Sequence, residues 1–283
     1  KGWSLIARDA YNGIELWRHL LPSWGGEKMG KKVGPAQMHR RLVTDGDRVY
    51  ATLGEYAPVS VLDAATGKEV WGFIAGGRVN SPPTLYRGLA IFGCADGHVY
   101  AVVAADGRLA WRFRAAPIDQ RLMSYEQLES VWPVHGSTLI ENDVLYCVAG
   151  RSMFLDGGLH LWRLDPRTGR ILSETVLSKH DSATGKSLDS YVSWLNMPTG
   201  LPDILSSDGK RVYMRAQAFD QEGRRMDVTA ATDFKDQTGE GQYVEVTLQR
   251  TGLWAMASDT VQALYDRVPA DKTCQAEPPN PIW

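Results

Sequence analysis

The feature that most constrains this chain is a short pattern written several times over. The segments LIARDAYNGIELW from Leu5, VSVLDAATGKEVW from Val59 and VYAVVAADGRLAW from Val99 align position by position, and a fourth, LWRLDPRTGRILS from Leu161, follows the pattern without its final Trp. Each reads as an alternating strand, a turn with Asp or Asn close to Gly, and a second strand, which is the signature of a β-hairpin. Gly13, Gly67, Gly107 and Gly169 share one turn position, where a positive φ is expected that a side chain would penalise. Asp9, Asp63 and Asp165 stand four residues earlier, placed to accept bonds from the free amides of the turn. Trp17, Trp71 and Trp111 close the second strand, whereas Val103 takes the Asp position of the third copy and Ser173 the Trp position of the fourth.

Another hairpin precedes this one in three units, as RRLVTDGDRVYATLG from Arg40, PTLYRGLAIFG from Pro83 and STLIENDVLYCVAG from Ser137, and ILSSDGKRVYMRA from Ile204 opens one more. Two hairpins make four strands, and the step from Trp71 to Trp111 is about 40 residues, the length of a propeller blade. The expected fold is all-β: a β-propeller of four-stranded antiparallel blades, incomplete or part of a larger one. About four to five units occupy residues 1–217, the first and last partial, and residues 218–283 form a non-repeat C-terminal segment. A β-sandwich also contains hairpins, but it does not require this period or the recurrent Trp. The Trp side chains are expected to wedge between adjacent sheets as structural residues.

Ten Trp, eleven Tyr, 28 Gly and 14 Pro suit many short strands joined by tight turns. A net charge of −2 gives no overall attraction for nucleic acid or an anionic membrane. No apolar run approaches the roughly 18 to 20 residues that span a bilayer. The chain opens at Lys1 without an initiator Met or a signal peptide, which raises the expectation of a fragment or processed product.

LDAATGKEVWGF from Leu62 resembles the pyrroloquinoline-quinone (PQQ) enzyme repeat, the blade unit of BamB-like propellers and of the quinoprotein alcohol dehydrogenase-like superfamily. QLESVWPVHGSTLI from Gln127 and LPDILSSDGKRVYMRAQAFD from Leu201 are similar to segments of large exported bacterial propellers. The resemblance implies a periplasmic or otherwise exported protein that acts as a scaffold for protein partners. Its alternative implication is a PQQ- and calcium-dependent oxidoreductase, whose family pattern has adjacent cysteines over the quinone, a calcium site of Glu, Asn and Asp, and an Asp base. Cys94, Cys147 and Cys274 are not adjacent, and no CxxCH is present. No catalytic, cofactor or metal residue is therefore assigned, and PQQ and calcium are expected only under the alternative. A third reading, sugar or small-ligand binding in a central funnel, rests on the abundant aromatics.

The remaining signals are weaker. His19, His39, His98, His135, His160 and His180 never fall at metal-ligand spacing and read as surface or turn residues. The stretch GGEKMGKK from Gly25 ends on Lys32 where a phosphate-binding loop needs a hydroxyl, so it reads as a solvated basic loop. Residues 116–133 place Leu122, Tyr125, Leu128, Val131 and Trp132 at helical spacing, predicting an amphipathic helix over one propeller face. From Asp220 the repeat fades into polar sequence; YVEVTLQ from Tyr243 has the alternation of a ring-closing strand, and 260–267 suits a short helix. Unpaired blade edges predict self-association.

Overall fold

A computed structural model describes residues 4–20, 42–52, 58–124, 127–178, 202, 204–215 and 217–226, all within one compact unit spanning Lys1–Asp233. The first sheet pairs β1 (Ser4–Arg8) with β2 (Glu15–Leu20). The second holds β3 (Leu42–Thr44), β4 (Arg48–Thr52), β5 (Val59–Asp63) and β6 (Glu69–Phe73) in sequential order. The third repeats that order with β7 (Thr84–Tyr86), β8 (Leu89–Gly93), β9 (His98–Val103) and β10 (Leu109–Arg114). A two-stranded hairpin of β11 (Arg121–Ser124) and β12 (Gln127–Ser130) follows. The fourth blade holds β13 (Leu139–Glu141), β14 (Val144–Ala149), β15 (Leu159–Leu164) and β16 (Ile171–Leu177), and the fifth holds β17 (Leu205–Ser207), β18 (Val212–Met214) and β19 (Gln217–Phe219). All pairings are antiparallel.

The second, third and fourth blades bury both faces of their middle strands, because period-two alternation sends neighbouring side chains to opposite sides. Phe92 enters the core shared with Val61 and Trp71 of the second blade, and Ile91 beside it enters the core shared with Leu145 and Trp162 of the fourth. Tyr146 and Leu145 divide in the same way, Tyr146 joining Leu205, Val212 and Phe219 of the fifth blade. The first strands converge: β13 lies against both β7 and β17, and the Thr84 hydroxyl donates to the Thr138 carbonyl at 2.6 Å. The last strands are the exposed ones.

The repeat motif builds the seam between blades. The Asp9, Asp63 and Asp165 carboxylates accept from turn amides at Tyr11, Thr66 and Arg167, at 2.8 to 2.9 Å. Gly67, Gly107 and Gly169 have φ of 69°, 75° and 70°, and each lies under the Trp of the preceding blade. A Cβ on Gly67 would stand 2.5 Å from Trp17, one on Gly107 2.6 Å from Trp71, and one on Gly169 2.7 Å from Trp111. The same indoles donate to Ala64, Ala104 and Pro166 carbonyls at 2.8, 3.0 and 3.1 Å.

At the fourth seam Ser173 replaces Trp, and the stem of Arg163 covers the turn glycine instead, its Cδ lying 2.7 Å from where a Gly223 Cβ would be. Arg163 Nη1 donates to the Glu222 carbonyl at 2.9 Å, and the Thr175 hydroxyl donates to that of Gly223 at 2.6 Å. The repeat register thus continues past residue 217: β19 runs through it, and the polar sequence from Asp220 is a blade turn closed by a bridge from Phe219 to Arg225. The predicted strand from Tyr243 and the helix over 260–267 lie outside the described residues.

The helix expected over residues 116–133 is corrected to the β11–β12 hairpin. Leu122 with Ser124, and Leu128 with Ser130, each fit the two-residue period of a strand, and the register pairs Leu122 with Glu129 and Met123 with Leu128. Val131 and Trp132 lie beyond it, buried between the third and fourth blades.

Replacing Trp71 by Ala is expected to cost ~3–5 kcal/mol in chemical denaturation. Gly107→Ala should cost more than Gly13→Ala, since both glycines have positive φ but only Gly107 lies under an indole, leaving Gly13→Ala with a backbone penalty of ~1–2 kcal/mol.

Candidate functional site

Antiparallel order divides every blade into two ends. The motif turns and Trp seams occupy one; the approach to the first strand, the loop between second and third strands, and the exit of the fourth occupy the other. On this loop face the third and fourth blades and the inserted hairpin bring charged groups together. Arg78 precedes β7, His135 precedes β13, Arg151 follows β14, and Glu129 lies in β12.

Glu129 is the centre of the group, with 1% of its side chain exposed. Arg78 Nη2 lies 2.6 Å from Oε1, Arg151 Nη2 donates to Oε2 at 2.8 Å, and His135 Nε2 lies 3.7 Å from Oε2. Arg151 also donates to the Ser130 carbonyl at 3.1 Å. Asn80 joins the set by accepting from Arg78 Nε at 2.8 Å and presenting its amide nitrogen to His135 Nδ1 at 2.6 Å. That orientation leaves the imidazole proton on Nε2, facing Glu129. Burial, aided by the Arg78 and Arg151 charges, lowers the His135 pKa to about 3, so the ring is neutral at physiological pH.

A second group sits in the β8–β9 loop. Asp96 accepts from the Tyr100 hydroxyl and the His98 amide, and its Oδ1 lies 3.4 Å from His98 Nδ1. Burial alone would raise the Asp96 pKa, but the bonds from His98, Tyr100 and Cys94 outweigh it and lower the value from 3.8 to about 2. A Cβ on Gly76 would stand 2.3 Å from Asp96 Oδ2, so the carboxylate fits only because that position is bare.

The ten motif residues expected from sequence lie at the opposite end of the blades, where the glycines and indoles meet in pairs; none joins the charged groups. The histidine reading is corrected in part. His160 is buried in β15 with Nδ1 2.7 Å from Glu174, and His135 is held in the Glu129 group. His39, His180 and the stretch from Gly25 lie outside the described residues. Sequence reasoning missed Arg78, Glu129 and Arg151, which come from segments far apart in the chain; the one local signal is a Glu immediately before the buried Ser130, Val131 and Trp132.

The described residues do not fit a quinone site of the enzyme pattern. Cys94 and Cys147 are free and buried in different cores; burial raises the Cys94 pKa well above its usual value and that of Cys147 to about 12. Among the described residues no group of three His, Cys, Asp or Glu could hold a metal ion, and no helix is long and apolar enough to cross a membrane.

Blades stapled by Trp on a turn glycine, with first strands converging, define a β-propeller of PQQ-like repeats. The family model described as outer membrane protein assembly factor BamB matches residues 2–263, and the chain belongs to that family. It is 31% identical over 105 residues to the outer membrane protein assembly factor BamB of Moranella endobia (strain PCIT), covering 37% of this chain and 26% of that protein. It is 33% identical over 139 residues to the quinohemoprotein alcohol dehydrogenase ADH IIB of Pseudomonas putida, covering 45% and 20%. Among solved structures, the quinohemoprotein alcohol dehydrogenase of Comamonas testosteroni shares the fold with a TM-score of 0.50 at 15% identity, over 68% of this chain and 35% of that one. BamB from Moraxella catarrhalis aligns with a TM-score of 0.49 at 20% identity, over 79% and 57%. The chain thus spans only about 26% and 20% of the lengths of these two curated relatives.

The depressed Asp96 pKa stabilises the fold in full above its unfolded value of 3.8, and the stabilisation is lost as pH falls through about 2. It amounts to about 2 kcal/mol. Urea denaturation from pH 5 to pH 2 is expected to show a steep loss of stability in the wild type and a flatter one in Asp96→Asn.

Proposed function

We propose that this propeller is a scaffold of an exported, periplasmic protein and that another protein docks on its loop face, with neither PQQ nor calcium taking part. The observation that carries this reading is the apolar surface around the hairpin. Met123 and Leu128 are cross-strand partners, 71% and 52% exposed, and Ile118 on the approach to β11 is 53% exposed. Phe154 and Leu155, in the loop between β14 and β15, add side chains 38% and 59% exposed. That loop is tied to the base of the hairpin by the Trp132 indole, which donates to the Asp156 carbonyl at 2.7 Å. Clustered apolar side chains with a polar surround mark protein-binding surfaces, and a Met among them adapts its shape to a partner. Family membership supports the same reading, since the family is described as an assembly factor.

The similarity to ADH IIB favours a second reading, a PQQ- and calcium-dependent dehydrogenase completed by sequence beyond this chain. A titration with PQQ and calcium, followed by quinone absorbance and dye-linked alcohol oxidation, separates the two. No stoichiometric binding is expected, and tight binding with turnover would establish the enzyme reading instead. A photo-crosslinking side chain at Ile118 is expected to trap one discrete envelope protein. Met123→Ser with Leu128→Ser should abolish that product at unchanged thermal stability; an unchanged product would refute the assigned surface.

A further inference from the structure

Among its described residues the β11–β12 hairpin has little apolar attachment to the blades beneath it: Leu122 packs on the core between the third and fourth blades, while Met123 and Leu128 face solvent. Its deepest inward group is a carboxylate, Glu129, gripped from one side by Arg78 of the third blade and from the other by Arg151 of the fourth. The two grips differ: Arg78 has 3% of its side chain exposed and Arg151 has 24%. From Val131 onward the chain is anchored differently, by the buried Val131 and Trp132. The boundary between weakly and firmly attached chain therefore falls at Glu129 and Ser130.

We infer that the hairpin is a flap latched onto the loop face by Glu129, and that opening the latch moves the strands β11 and β12 while the blades stay folded. Local opening of this kind is expected where an element has few buried apolar contacts, and removing one member of a buried ion pair leaves its partners uncompensated. Opening uncovers Arg78, Asn80 and His135 and displaces Met123 and Leu128 from their place on the loop face. The inference deepens the docking reading, because the latch governs whether that apolar surface is assembled, and Glu129 acts on it as a positioning residue.

Amide hydrogen exchange of the full chain, read by mass spectrometry without any partner, tests the latch independently of docking. In Glu129→Gln and in the milder Arg151→Gln, amides of β11 and β12 should exchange at least about tenfold faster, with those of β8, β9, β14 and β15 unchanged. Arg151→Lys, which keeps the charge, should restore much of the protection. Unchanged exchange in the hairpin would overturn the inference, and so would acceleration spreading into the blade strands, which would make Glu129 part of the common core. Met123→Ser with Leu128→Ser should leave exchange as in the wild type, so a failure of the docking reading would not be mistaken for a failure of the latch.

Discussion

The seam between blades depends on an indole resting on a glycine. Each Trp reads the next blade's turn twice, by lying where a Cβ would be and by donating to the carbonyl three residues before the glycine. That carbonyl is free because the turn closes on the Asp-position carbonyl, as Gly67 N does on Asp63 O at 2.8 Å. Stacking without the hydrogen bond would let neighbouring sheets slide; the bond without the bare glycine would keep them apart. Together they fix the spacing and the order in which blades follow one another. The fourth seam shows which part is indispensable: the Trp is gone, yet a long side chain still lies on a turn glycine and still donates to a turn carbonyl.

Confining the seam to one end of the blades leaves the other end available for variation. Loops on a rigid scaffold are where insertions are tolerated and where binding residues gather. The connection from β10 to β13 carries an added hairpin, and the β14–β15 loop places Asp156, Gly157 and Gly158 at positive φ to turn back toward it. The apolar surface arises from these two insertions, and the ionic group joins them to Arg78 on the approach to β7.

What was legible in the sequence follows the same division. Hairpins, turn glycines, carboxylates bonded to turn amides and the Trp seams are local and periodic, so Asp63, Gly67 and Trp71 could be assigned from spacing alone. One error came from spacing that admits two readings. Leu122 and Leu128 satisfy a helical face and a strand ladder alike, and only pairing with Glu129 and Met123 decides between them. The fifth blade's turn runs from Asp220 to Gly223, one residue shorter than from Asp63 to Gly67, which hid its register. The Glu129 group was not legible at all, because its members meet only after two blades have stacked.

Charge at the base of the hairpin is informative because an apolar side chain there would be the simpler anchor. Buried ion pairs are poor sources of stability, and apolar replacements of similar volume often do as well or better. What they supply is direction: both oxygens of the Glu129 carboxylate are ion-paired only when guanidiniums from both blades reach it, so it registers that the third and fourth blades stand at their native separation. A leucine at the same position would hold the hairpin down across a wide range of geometries. The carboxylate instead makes seating of the hairpin conditional on the seam beneath it, linking the apolar surface on the loop face to the Trp111 seam at the opposite end of the same two blades.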